Sequence, residues 1–520
     1  MKLSIKGLVW LMPWLVASSP LQTDEPLAGP DGSIHGNHIF NALHNSMKMF
    51  GCVLQHNGMS IFIATVPQGT EFYHGTSSPY RKNGTGWLAF EPEHAMAFAH
   101  PRQSHRAGPK DATDEPHDDQ DTSKDHRYHH TRSLEHNDRQ DDHDNHKESS
   151  FGSSSDMDKT QSALGPEQPT TEERSGYFHT YRTKREMRLV YFDGQSAAKS
   201  LKGTLDMQDI VLRNATWFDG SPAEGDNVRA DELCALARDR WDNRVDGFIR
   251  MVGGFEIILC SFADNLDVKC ILSTSSGGGG SSLNYARALA TRFDGIGGDR
   301  VSINYADFVS LLAFPDAVYF DERGLPRAIN DWANLGNVRH HIDRLITQLD
   351  SPNPINWQNI VDMIVTRYHY RINLMLSSAI STHHELQREL HLAIEPFVDA
   401  HARNSDLEIE RCATQFWISG ADLSTTPAQA VYEVSKQLCS ALVTGAAAET
   451  YEEGIAIIQD LKRYLDWTDF RKCNNCKPDE ICQLPIWPSG SEEDFVRPQC
   501  GAGRSHGAGG YWDMMGRVRG

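Results

Sequence analysis

A chain of 520 residues has room for about two to four domains. Hydrophobic residues are 39% and charged residues 23%, which is ordinary globular usage and excludes collagen-like, coiled-coil and wholly disordered classes. Fifty Lys and Arg against 70 Asp and Glu leave a net charge of -20, which argues against nucleic acid or an anionic membrane as partner.

Lys2 and Lys6 lead into an apolar stretch, Gly7 to Val16, followed by Ala17, Ser18 and Ser19. This is the pattern of a secretory signal peptide over 1–19, and Pro13 counts against a buried helix. The expectation is a secreted, extracellular protein. Ten cysteines fit an oxidising compartment. Two sequons, Asn83-Gly-Thr and Asn214-Ala-Thr, would be glycosylation acceptors on the surface.

Residues 34–100 have the composition of a folded segment. Residues 101–173 are almost devoid of aliphatic side chains and read as a disordered His/Asp-rich insertion. No histidine spacing there defines a metal site.

Phe72 to Ala99 (FYHGTSSPYRKNGTGWLAFEPEHAMAFA) predicts three elements. A strand ends at Tyr73-His74-Gly75-Thr76, a second runs Gly86 to Phe90, and a helix starts near Pro92 and carries Ala95, Phe98 and Ala99. FHTYRTKREMRLVYFD predicts two more strands. A helix is expected from about Ala230 to Trp241, with Leu233, Cys234, Leu236 and Ala237 on its apolar side. Gly254 to Phe262 (GFEIILCSF) suits a central strand with one carboxylate, Glu256, embedded in it. The run SSGGGGSS at 275–282 is a linker and a domain boundary.

Over 300–470 the apolar residues recur at three- and four-residue spacing in five segments, predicting an all-α domain of four to six helices. Cys260 and Cys270 are close enough to clip a local loop. Cys412 and Cys439 could staple two helices. In the tail at 473–500, Cys473, Cys476, Cys482 and Cys500 begin as C-x2-C, but two disulfides are expected rather than zinc. His340, His341, Asp343, Asp362 and the segment Arg367 to Arg371 are weaker candidates for a metal site. No HExxH, Gly-x-Ser-x-Gly or P-loop pattern is present.

The strand ending in His74-Gly75-Thr76, the glycine-aromatic strand at Gly86-Trp87 and the helix ending in Phe98-Ala99 resemble the opening of the ADP-ribosyltransferase fold. HTYRTKREMRLVYFD is similar to its middle strands. GFEIILC is similar to a later strand whose Glu completes the site. The resemblance covers residues 55–265. The chain as a whole also resembles secreted proteins of filamentous fungi.

That resemblance implies an α+β fold: a split β-sandwich domain over 34–274, then the helical domain and a short disulfide-rich tail. It implies NAD as substrate. His74 would bind the ribose hydroxyl beside the nicotinamide. The backbone of Gly75 would grip the nicotinamide amide, with Thr76 beside it. Trp87 or Phe98 would give the ring a stacking face. Glu256 would stabilise the oxocarbenium-like charge as nicotinamide leaves. Position 254 is glycine, so no second Glu or Gln marks an arginine- or asparagine-directed enzyme. Attack by an acceptor, protein or small molecule, gives ADP-ribosylation; attack by water gives NAD hydrolysis. The alternative is a catalytically inactive extracellular binding or structural protein of the same shape. The sequence leaves the acceptor and the oligomeric state open.

Overall fold

The computed structural model describes residues 35–49, 53, 58–101, 175–215, 225–274, 282–290, 295–348, 355–418 and 421–468, with 473, 476–487, 489–501 and 510–512 of the tail. The expected signal peptide, the His/Asp-rich insertion but for Pro101, and most of the Gly/Ser run lie outside the described residues.

The chain is α+β. Among the described residues, the strands of its main sheet are β1 (Ser60–Val66), β2 (Glu71–Thr76), β3 (Gly86–Ala89), β4 (Gly176–Thr183), β5 (Met187–Phe192), β6 (Gly247–Met251), β7 (Phe255–Leu259), β8 (Leu266–Thr274) and β9 (Ser302–Ser310); two short strand pairs lie outside it. The main sheet is nine-stranded, in the order β8-β4-β2-β3-β7-β6-β5-β1-β9. The sheet is mixed, since β5 and β6 run parallel and the other neighbours antiparallel. β6 and β7 are buried along their whole length, as their near-continuous apolar runs require.

The ladder has one thin place. β2 and β3 share a single Cα pair, Tyr73 with Ala89. Six pairs join β2 to β4 and four join β3 to β7. The strands predicted around His74, Trp87 and Glu256 therefore exist and lie side by side, with a seam between the first two.

The helices are α1 (Gly36–Asn45), α2 (Pro92–Met96), α3 (Asp226–Asp239), α4 (Ser282–Ala290), α5 (Gly336–Thr347), α6 (Trp357–Met375), α7 (His383–Ile394), α8 (Ser405–Ala413), α9 (Thr426–Ala446) and α10 (Tyr451–Leu465). The C-terminal region is helical as its periodicity predicts. α9 buries Val431, Val434, Leu438 and Leu442 in one stripe and packs against α1, α7, α8, α10 and β9. A capping box of Thr382 and Glu385 starts α7. Two readings need correction. Residues 302–310 fall in the segment expected to be all helical, yet they form β9, which pairs with β1. The helix carrying Ala95 ends at Met96, so Phe98 stands in the turn beyond it.

Among the described residues four disulfides are formed: Cys234–Cys260, Cys412–Cys439, Cys473–Cys482 and Cys476–Cys500. The second joins α8 to α9 as expected. The expected Cys260–Cys270 clip is absent. A single helical turn, Phe262–Asn265, carries the chain from central β7 to the far sheet edge. Cys270 there faces Thr180 of β4 and is free, while Cys260 is tied to α3. No helix among the described residues is long and apolar enough to cross a membrane. Asn83 and Asn214 are both exposed.

Candidate functional site

The seam between β2 and β3 opens into a cavity of about 270 Å³. Tyr73, His74 and Gly75 of β2, and Trp87, Leu88 and Ala89 of β3, form two sides. His94 and Ala95 of α2, with Phe98, form a third. Asp226 and Glu256 line the remainder. Five of the six residues singled out in the sequence, His74, Gly75, Trp87, Phe98 and Glu256, thus meet at one cavity. Thr76 is not among the lining residues; its hydroxyl accepts a hydrogen bond from the Ser78 amide at 3.2 Å, which turns the chain out of β2.

His74 bridges the seam. Its Nδ1 lies 2.8 Å from the Trp87 carbonyl oxygen. A carbonyl only accepts, so Nδ1 carries the proton and Nε2 of the neutral ring is an acceptor. Burial pushes the pKa of His74 down to about 4, against the pull of that carbonyl, and the nearby charges of His179 and Lys82 add to the fall. The ring is neutral at pH 7. Phe262 and His179 pack edge-on to it, with centroids 5.5 and 5.9 Å away.

Gly75 is needed by the protein itself. A Cβ there would sit 1.9 Å from the Ala95 carbonyl oxygen. The same holds one strand over, where a Cβ on Gly176 would sit 1.9 Å from the Ala99 carbonyl oxygen. The two glycines let residues 95–99 lie directly on β2 and β4, so the space beside Gly75 is filled by α2. Trp87 is half-buried. Phe98 is 60% exposed, a flap of aromatic surface at the rim.

Glu256 stands in the register Ala89–Glu256–Arg250 across β3, β7 and β6. It is buried, and Arg250 pays its desolvation: Nη2 and Nε donate to Oε1 at 2.6 and 3.1 Å. Both bonds fall on Oε1, which leaves Oε2 outside the pair. Arg250 in turn lies 3.8 Å from Asp226 Oδ1, and Asp226 binds Lys199 at 2.5 Å and Arg229 at 2.8 Å. Arg229 and Arg213 share Asp209, and Arg213 reaches Glu232. Burial alone would raise the Asp226 carboxyl, but Arg250, Lys199 and Arg229 hold it below its usual range.

Sequence reasoning missed Arg250, Asp226 and His94. Arg250 had a signal: Gly253-Gly254 between two apolar runs marks a hairpin, which sets residue 250 opposite 256. Asp226 and His94 reach the cavity through tertiary packing alone. The weaker metal candidates are dispersed. Asp343 accepts from Trp241 Nε1 and Arg240, and Asp362 from His44 and Lys48. Among the described residues, the one cluster of metal-ligating side chains is Cys473, Cys476 and Cys500.

Residues 34–293 match the family described as the YPL277C N-terminal domain. The chain belongs to that family. Two Saccharomyces cerevisiae proteins are similar to it. Uncharacterized protein YPL277C is 27% identical over 246 residues, covering 45% of this chain and 42% of its own. Uncharacterized protein YOR389W is 27% identical over 245 residues, covering 45% and 33%. The chain therefore matches less than half the length of either relative. Neither match bears the name of an ADP-ribosyltransferase, and no solved structure matches. The YPL277C N-terminal domain span encloses every residue that lines the cavity and stops before β9.

Proposed function

We propose that the cavity receives the nicotinamide–ribose end of NAD and that the protein cleaves the bond between them, in an exported chain whose first half is ADP-ribosyltransferase-like. The observation that carries this reading is the convergence of His74, Trp87, Phe98 and Glu256 on one cavity, with β3 lying between the strands of the imidazole and the carboxylate. The cavity falls just below the ~300–1,000 Å³ usual for ligand sites. That suits one ring and its ribose, with the rest of a dinucleotide outside.

Each residue has a task in this reading. The neutral His74 offers Nε2 to a ribose hydroxyl. Trp87 and Phe98 flank the pyridinium ring, whose positive charge favours an aromatic face. As the glycosidic bond stretches, electrons leave with nicotinamide and positive charge grows on the ribose. Arg250 holds Glu256 in place, and Oε2 faces the growing charge. An acceptor or water then attacks the ribose carbon and loses its proton. Four disulfides and the N-terminal residue pattern support export.

Arg250 also favours a second reading. A carboxylate already neutralised by a guanidinium stabilises a cation less well, which fits a non-catalytic extracellular binding protein. Calorimetric titration of the purified protein with NAD tests the first reading. Saturable binding, weakened at least about tenfold in Trp87→Ala, is expected; no binding to wild type contradicts it and leaves the second. Nicotinamide release then separates them.

A further inference from the structure

The cysteine tail forms a site that the cavity does not use. Two short strands, Ile481–Cys482 and Cys500–Gly501, pair with Cys482 opposite Cys500. Cys473 and Cys476 come from a C-x2-C loop. Each disulfide joins this loop to the strand pair. Sγ of Cys473, Cys476 and Cys500 lie within 4.8 Å of one another, and Cys482 is bonded to Cys473.

A tetrahedral zinc with four sulfur ligands, at about 2.3 Å each, needs sulfurs about 3.8 Å apart. A C-x2-C loop facing two cross-strand cysteines meets that need once the bridges open and each bonded sulfur pair parts by about 2 Å. The site also has an outer donor: the Cys473 amide points at Cys482 Sγ, 3.1 Å away, and such N–H groups favour thiolate over thiol. Arg471, Lys472 and Lys477 flank the loop in sequence.

We propose that the tail is a redox-dependent zinc site: two disulfides when oxidised, one four-cysteine zinc centre when reduced. Reduction by a thiol such as glutathione is balanced as two disulfides plus four thiols giving four cysteine thiols and two molecules of glutathione disulfide. Zinc then binds the four sulfurs and releases four protons. Bridges and metal restrain the same loop against the same strand pair, so the tail keeps its shape in either state. That shape matters locally, because Arg287 of α4 donates to the Pro478 carbonyl at 2.6 Å.

The full-length protein, reduced with a phosphine under anaerobic conditions and titrated with cobalt(II), tests this. The expected result is the visible spectrum of a tetrahedral thiolate site, saturating at one cobalt per chain and displaced by zinc. Cys476→Ser and Cys500→Ser should each weaken binding at least about tenfold. Cys473→His, which keeps a ligand, should retain the metal with a shifted spectrum. Cys234→Ser should bind like wild type, since its sulfur lies elsewhere. Added glutathione disulfide should expel the metal and restore both bridges, read as a loss of four hydrogens by mass spectrometry. No tetrahedral spectrum in the reduced wild type, equal binding by Cys476→Ser, or loss of binding in Cys234→Ser would each overturn the proposal.

Discussion

The two walls of the cavity solve opposite problems. The β2–α2 wall is neutral and close-packed: Gly75 and Gly176 admit the backbone of residues 95–99, and burial discharges His74. The β6–β7–α3 wall presents charge to the cavity through Glu256 and Asp226. Four carboxylates (Glu256, Asp226, Asp209 and Glu232) meet four cations (Arg250, Arg229, Arg213 and Lys199) in one chain of ion pairs. The contrast teaches how a sheet can set an ion-paired carboxylate beside an uncharged imidazole. The charge is confined to one wall and compensated away from the other.

Removing a link of the charged wall should have the largest effect. Arg250→Met leaves Glu256 buried without its partner and should cost about 3–5 kcal/mol, read by denaturant unfolding. The double variant Arg250→Met/Glu256→Met should recover most of that loss. If the single variant is as stable as wild type, Glu256 is not held by Arg250. On the neutral wall, Gly75→Ala forces a Cβ into the Ala95 carbonyl and should cost about 1–3 kcal/mol, with Gly176→Ala similar. A Gly75→Ala protein that melts with wild type shows that α2 does not rest on β2.

The difference also shows in pH. Folding lowers the His74 pKa from 6.5 to about 4, so between these values the unfolded chain binds the extra proton. Stability then falls as pH drops from about 6.5 to 4, by at most about 3 kcal/mol from this group. His38 is depressed to about 4 as well and adds to the same slope. His74→Gln should flatten the profile only in part. A slope unchanged by that substitution contradicts a neutral, buried His74. The smallest effect belongs to the exposed pair Lys269–Glu71, at 2.6 Å: Lys269→Ala should shift stability by about 0–1 kcal/mol.

The neutral wall was the more legible in the sequence: β2 and β3 announce themselves by local pattern around His74 and Trp87. Of the charged wall, β7 and Glu256 were legible and the hairpin at Gly253-Gly254 marked Arg250, but Asp226 and Asp209 come from separate segments and are gathered by Arg229 and Arg213, whose partners no spacing rule names. Local separation also misled. Ten residues part Cys260 from Cys270, yet the turn at Phe262–Asn265 sends them to different strands of the sheet, and Cys260 instead meets Cys234 across 26 residues. β9 was hidden for a related reason: its pairing with β1 joins residues about 240 apart, which no window detects.

The central claim is that Glu256, held in place by Arg250, faces the bond that breaks. The most direct measurement is nicotinamide release from NAD by the purified wild type and by Glu256→Gln, a substitution that keeps shape and removes charge. The account predicts release by wild type and at least about a hundredfold less by the variant. Equal release from both, or none from a wild type that binds NAD, would contradict it.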